Sequence, residues 1–301
     1  MRRALFALIG VLLLLVAADI GLDAYMSSVA ADRMGNHDFE RDHVVTPADY
    51  GMAFEALRLD SDGLALAAWW IPGNQTAPVV VLVHGHGATM AKSLERWGPN
   101  LHGAGYNLFA VDLRNHGASD DGPVGVTFGA SEWRDVAAAV AAARERAPGA
   151  PVALYGSSMG AATVLLAAAQ DPTIAAVVAD SGYASFRFQA HLDGKQEGFP
   201  AFLIDRALDA MDERAGGGAD APTSVDAVAA IQAIRAPVLV AHCADDARVQ
   251  PASFERLAPY ATQTWFEPCP TAVLSETHHV EGFAQPGYNE MVLRFLAAAM
   301  P

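Results

Sequence analysis

Five short stretches of this chain are apolar at every position. They are Val79-Val80-Val81-Leu82-Val83, Leu108-Phe109-Ala110-Val111, Val152-Ala153-Leu154-Tyr155, Ala175-Ala176-Val177-Val178-Ala179 and Val238-Leu239-Val240-Ala241. A strand with one wet face alternates apolar and polar residues, so runs of this kind must be covered on both faces. Helical stretches separate them, one reading as 128–146, which points to parallel strands joined by crossover helices. Residues 54–60 alternate, turn at Ser61-Asp62-Gly63 and run on through 64–71, the pattern of an antiparallel pair. Thr264-Trp265-Phe266 supplies a shorter last strand. The prediction is an α/β fold: a mostly parallel eight-stranded sheet with helices on both faces. The rhythm breaks once, between Ser181 and Arg235, where Gly198-Phe199-Pro200 and Gly216-Gly217-Gly218 interrupt helical sequence. That insertion, about 182–235, predicts a small helical lid.

With 301 residues, 52% of them apolar and 18% charged, the chain has material for one large core. A net charge of −15 excludes nucleic acid and an anionic membrane surface as partners.

In such a sheet the chemistry gathers beyond the carboxyl ends of the strands. One of those ends carries Gly156-Ser157-Ser158-Met159-Gly160, between an apolar strand and an Ala/Leu-rich helix. Strand, sharp turn and helix are the context in which G-x-S-x-G presents an exposed serine. A serine hydroxyl needs a base to take its proton and a third group to orient that base. The strand ending at His242 is followed by Asp245 and Asp246, and the last strand by His278 and His279. Met159 opens the helix after the turn, and His84-Gly85-His86-Gly87 follows the first long strand. His84 and His86 have no matching carboxylate for a metal, and His84 is expected to hydrogen-bond within its own loop. Asp112 and Arg114 read as structural, Asp180 as a loop-holding residue near the site, and Trp69, Trp70 and Trp133 as packing.

These motifs, with Asp112-Leu113-Arg114-Asn115-His116-Gly117-Ala118-Ser119, the D-x-x-V of Asp246 to Val249 and His279-Val280-Glu281, resemble a serine hydrolase of the α/β-hydrolase fold. The likeness is greatest to bacterial, often membrane-anchored members related to the BEM46-like and serine-aminopeptidase-like groups, and it covers 54–299. It implies Ser158 as nucleophile. It implies Asp246 as acid, four residues after His242 and three before Val249, with Asp245 the alternative. It implies His279 as base, because H-V-x-x-[YF] runs on to Phe283, with His278 the alternative. It also implies an oxyanion hole of two backbone N–H groups, one from Met159 at the start of the helix and one from His86 in the His-Gly-x-Gly turn. The expected reaction is hydrolysis of a carboxylic ester or thioester of a small-molecule acyl substrate through an acyl-enzyme, with no metal or organic cofactor. Cleavage of short peptides and a non-catalytic binding module are the other readings. Two features depart from the family. Cys243 stands where glycine is usual, and the loop from Pro270 to Thr277 is long. Adjacent strand ends bring Cys243 near Cys269, so an exported body is expected to carry a disulfide tethering the acid loop to the histidine loop.

Arg2 and Arg3 precede an uncharged run from Ala4 to Ala18. Residues 1–25 therefore read as a signal anchor or signal peptide, 26–50 as linker and 51–301 as the hydrolase domain. The expectation is export across the cytoplasmic membrane, with membrane contact through the N-terminal segment and the catalytic domain outside.

Overall fold

The computed structural model describes residues 2–35, 45–74, 76–269 and 282–301. The strands are β1 (Glu55–Ser61), β2 (Leu64–Ile71), β3 (Val79–Val83), β4 (Asn107–Val111), β5 (Val152–Ser157), β6 (Ala176–Asp180), β7 (Val238–Cys243) and β8 (Gln263–Glu267). They form one sheet of eight strands in the order β1-β2-β4-β3-β5-β6-β7-β8. The β1–β2 and β2–β4 pairings are antiparallel and the remaining five parallel, as the apolar runs foretold. This is the α/β-hydrolase fold.

Period-two geometry splits each central strand between two cores. Val79, Val81, Val83, Phe109, Val111, Val152 and Leu154 face one, beneath helices α3 (Trp133–Arg146), α4 (Met159–Gln170) and α7 (Ala227–Ala233). Val80, Leu82, Leu108, Ala110, Ala153 and Tyr155 face the other, beneath α2 (Met90–Gly103) and α9 (Tyr288–Ala299). Helix α8 (Pro251–Leu257) follows β7 and buries Leu257 in the first core.

The order reverses at β3. From there the chain crosses to β4, then back over β3 to β5. Loops leaving β3 and β5 therefore diverge around a crevice, and these two loops carry His84-Gly85-His86 and Ser158.

Between β6 and β7 lie α5 (Phe186–Gln196), α6 (Ala201–Arg214), two 3-10 turns and α7. The insertion is pinched at its neck, where Ser185 bridges Asp226 and Phe186 N–H donates to the Val225 carbonyl at 3.1 Å.

Two expectations are corrected. Helix α3 begins at Trp133, not Phe128. The buried carboxylate of Glu132 accepts from Thr127 N–H, Thr127 Oγ1 and Gly129 N–H at 2.7–2.8 Å, so the preceding residues are drawn into turns. At the N-terminus a single helix, α1 (Arg2–Met34), runs through what reads as anchor and into what reads as linker. Its side chains are described from Leu15 onward. Met26, Ala30 and Met34, four residues apart on one face, are buried, the last two in the first core. Asp19 and Asp23 pair with Arg206 of α6 at 2.6 and 2.9 Å, and the Met34 carbonyl accepts from Val126 N–H at 2.8 Å. The second half of α1 is thus part of the folded body rather than a stalk. Among the residues whose side chains are described, which in α1 begin at Leu15, no helix is long and apolar enough to cross a membrane, so the expected transmembrane helix finds no support there.

Candidate active site

Ser158 has φ 55° and ψ −121°, a conformation L-residues avoid, immediately before α4. Two glycines permit it. A Cβ on Gly156 would lie 2.2 Å from the Gly160 carbonyl oxygen, and one on Gly160 would lie 2.5 Å from the carbonyl oxygens of Val83 and His84. Strand β5 and helix α4 meet too closely for any side chain there. Ser158 N–H donates to the Asp180 carbonyl at 2.9 Å, which fixes the turn to the next strand. The side chain stays partly exposed at the head of the helix.

Across the crevice, a Cβ on Gly85 would stand 3.1 Å from Ser158 Cβ and 3.7 Å from its Oγ. The His84-Gly85-His86 loop therefore lies directly against the nucleophile candidate, while Met159 opens the helix beneath it. His84 holds this loop as expected. Its Nε2 accepts Leu113 N–H at 3.0 Å, which leaves the ring proton on Nδ1 to donate to the Gly85 carbonyl at 2.8 Å. The His84 and His116 rings lie 4.9 Å apart. Among the described residues no cluster of three or more His, Cys, Asp or Glu could hold a metal ion.

The two candidate acids occupy different environments. Asp246 is buried at 2% exposure, and its Oδ1 accepts from Arg248 N–H at 2.8 Å and Val249 N–H at 2.9 Å. Its Oδ2 sits 4.0 Å from His242 Nε2, which is itself bonded to the Val249 carbonyl at 2.7 Å. Asp245 is exposed, and its carboxylate accepts Cys269 N–H at 3.0 Å. The registers place Ser157 level with Asp180 and Asp180 level with Ala241. Ser158 and Asp246 thus leave the same end of the sheet from strands about 10 Å apart, with β6 between them.

His278 and His279 lie outside the described residues, but the described residues that flank them in sequence are held. Cys243 and Cys269 form the expected disulfide, with Cα atoms 5.6 Å apart. The chain is described again from Gly282, which packs against the Tyr288 and Trp265 rings. Tyr288, the first residue of α9, donates to Asp180 Oδ2 at 2.7 Å and receives the Tyr155 hydroxyl at 3.1 Å. Asp180 Oδ1 accepts from Ser181 Oγ at 2.9 Å. Burial, with Asp180 alongside, pushes the Tyr288 phenol well above the ordinary tyrosine range, so it remains a donor. Sequence reasoning gave Asp180 a loop-holding role but missed the two tyrosines, because Tyr155 lies within an apolar strand run and Tyr288 stands between Gly287 and Asn289 with no motif to mark it.

Asp112 and Arg114 are structural as read. Asp112 accepts from Met90 N–H and Ala118 N–H at 2.7 and 2.9 Å. Arg114 forms a multidentate pair with the fully buried Asp135, closest at 2.7 Å, and reaches Asp62 in the β1–β2 turn. Lid carboxylates also have partners on the protein. Asp205 pairs with Arg187 and His191, and Asp193 with Arg248 and Gln189.

Residues 74–190, which include Gly85, Gly87 and Ser158, match the family model described as serine aminopeptidase, S33. The quorum-quenching protein AidA of Acinetobacter baumannii is 31% identical over 126 residues, covering 40% of this chain and 41% of that relative's length. An esterase of Pyrococcus furiosus superposes with a TM-score of 0.67 at 21% identity, over 89% of this chain and 100% of its own. A bacterial membrane phospholipase A gives a TM-score of 0.55 at 19% identity, over 99% of each chain. At these identities the likeness in structure establishes the fold.

Proposed function

We propose that this chain is a serine hydrolase that cleaves carboxylic ester or thioester bonds through an acyl-enzyme on Ser158. The observation that carries the reading is the strained Ser158 backbone at the head of α4, pressed against the Gly85 loop. A fold holds a non-glycine residue at such a φ/ψ only where the surroundings enforce it, and such sites cluster at functional centres. In this reading His279 takes the Ser158 proton as the hydroxyl attacks the acyl carbon, and Asp246 orients the imidazole. The N–H groups of Met159 and His86 stabilise the oxyanion, and each such donor is worth about 100- to 1000-fold in rate. His279 then protonates the departing alcohol or thiol, and water repeats the sequence to release the acid. The burial of Asp246 supports it over Asp245 as the acid. The esterase and phospholipase among the structural relatives support an ester substrate. The family match to serine aminopeptidases raises peptide cleavage, but two of the lid carboxylates that could receive a peptide amine, Asp193 and Asp205, are already engaged by cations or amides of this chain. We further propose export, supported by the Cys243–Cys269 disulfide, a bond that persists in oxidising compartments.

Labelling with a fluorophosphonate probe tests the reading, alongside turnover of short p-nitrophenyl esters. Wild type should label and turn over, and Ser158→Ala should do neither. A folded wild type that does not label would remove the catalytic reading and leave a binding module.

A further inference from the structure

Four aromatic rings run from the oxyanion loop to the lid. The exposed His86 ring stacks on Phe128 at 5.2 Å and 26°. Phe128 stacks on Phe186 at 4.4 Å and 22°. Tyr183 meets Phe186 edge-on at 6.3 Å. His86 follows the glycine that touches Ser158, and Phe186 is the first residue of α5, so the row spans the cleft rim from nucleophile to lid.

Phe128 is the central ring, and its backbone is held in place. It has φ 56°, uncommon for a bulky residue. Its carbonyl accepts the Tyr183 hydroxyl, and its neighbours Thr127 and Gly129 are bound by the buried Glu132 carboxylate. Gly129 packs on Thr163 and Leu166 of α4, the helix that carries Ser158. A ring so fixed to the nucleophile helix, yet only half-buried itself, is a wall rather than core filling.

Resting on the acyl-hydrolase reading above, we infer that Phe128 is a specificity-determining residue that closes the acyl side of the cleft and restricts the enzyme to short acyl groups. On this inference the acyl chain leaves Ser158 alongside the His86 loop, where it would meet the His86–Phe128–Phe186 stack. Those rings lie with centroids 5.2 and 4.4 Å apart, and each methylene newly buried once a ring is removed would be worth about fourfold in kcat/KM.

The test compares kcat/KM for p-nitrophenyl acetate, butyrate and octanoate in wild type, Phe128→Gly and Phe186→Ala. Glycine suits the positive φ at 128, so Phe128→Gly removes the ring without adding strain. Phe186→Ala opens the same wall from the lid if the first variant does not fold. Wild type should favour acetate and butyrate over octanoate, and either folded variant should raise the octanoate-to-butyrate ratio at least about tenfold. A wild type that already prefers octanoate overturns the inference, as does an unchanged ratio in folded variants that label normally with fluorophosphonate. A shift seen only when the alcohol, not the acid, is varied also overturns it. Absence of labelling in wild type removes the hydrolase reading and this inference together.

Discussion

Asp245 and Asp246 are neighbours in sequence, but only Asp246 turns inward, where two amides of its own loop hold one oxygen and fix the carboxylate. Asp246→Asn should leave the fold intact and lower kcat on p-nitrophenyl acetate by about 10,000-fold, the scale found when a triad acid is neutralised. Asp245→Asn, whose amide oxygen still accepts Cys269 N–H, should stay close to wild type. The opposite ranking would move the acid to Asp245. His116 offers a second residue-level test. Burial holds its imidazole below the ordinary histidine range, against the Arg114 carbonyl and the charges of Glu132, Asp112 and Asp135. The folded state therefore prefers the neutral ring, while the unfolded chain titrates near about 6.5. The resulting stability is fully present above that pH and is lost as pH falls through the lower folded value. Thermal melts between pH 7.5 and 5 should show Tm dropping on the acid side, with a shallower slope in His116→Gln. Equal slopes would place the acid sensitivity elsewhere.

Among the elements, α9 is fastened to the sheet by one phenol. Tyr288→Phe removes the donor to Asp180 and the acceptor of Tyr155, in a site sealed from water. A hydrogen bond to a buried carboxylate contributes about 1.5–3 kcal/mol, so in a chain of this size Tm should fall by about 2–5 °C, read by calorimetry. A loss under a degree would mean that the network is replaceable by packing. None of this was legible in sequence, because Tyr288 is 133 residues from Tyr155 and 108 from Asp180. The strands were legible because their burial on two faces leaves an uninterrupted apolar run, and Ser158 because a tight strand-to-helix contact demands glycines at both 156 and 160. The start of α3 was misread because Phe128 and Ala130 look helical until the Glu132 carboxylate claims the amides before them. The second half of α1 was misread for a similar reason. Three buried residues at four-residue spacing, set among Asp, Ser and Ala, make too sparse a stripe to separate from a polar linker.

For the molecule as a whole, the Cys243–Cys269 bond joins β7, which leads to the candidate acids, to the last described residue before the sequence that holds both candidate histidines. Closing a loop with a sequence separation of 26 restricts the unfolded chain by about 3.5 kcal/mol in the chain-entropy account. Oxidised protein titrated with a thiol reagent after denaturation should therefore show no free thiol, and two after reduction. Reduction, or the Cys243→Ser/Cys269→Ser pair, should lower Tm by about 6 °C. If the bond also sets the distance between acid and base, kcat on p-nitrophenyl acetate should drop with it at temperatures where the protein stays folded. A stable but slow reduced enzyme would make the disulfide a positioning device as well as a staple. Unchanged kcat would confine it to stability, and two free thiols in protein recovered from an oxidising compartment would remove the support for export.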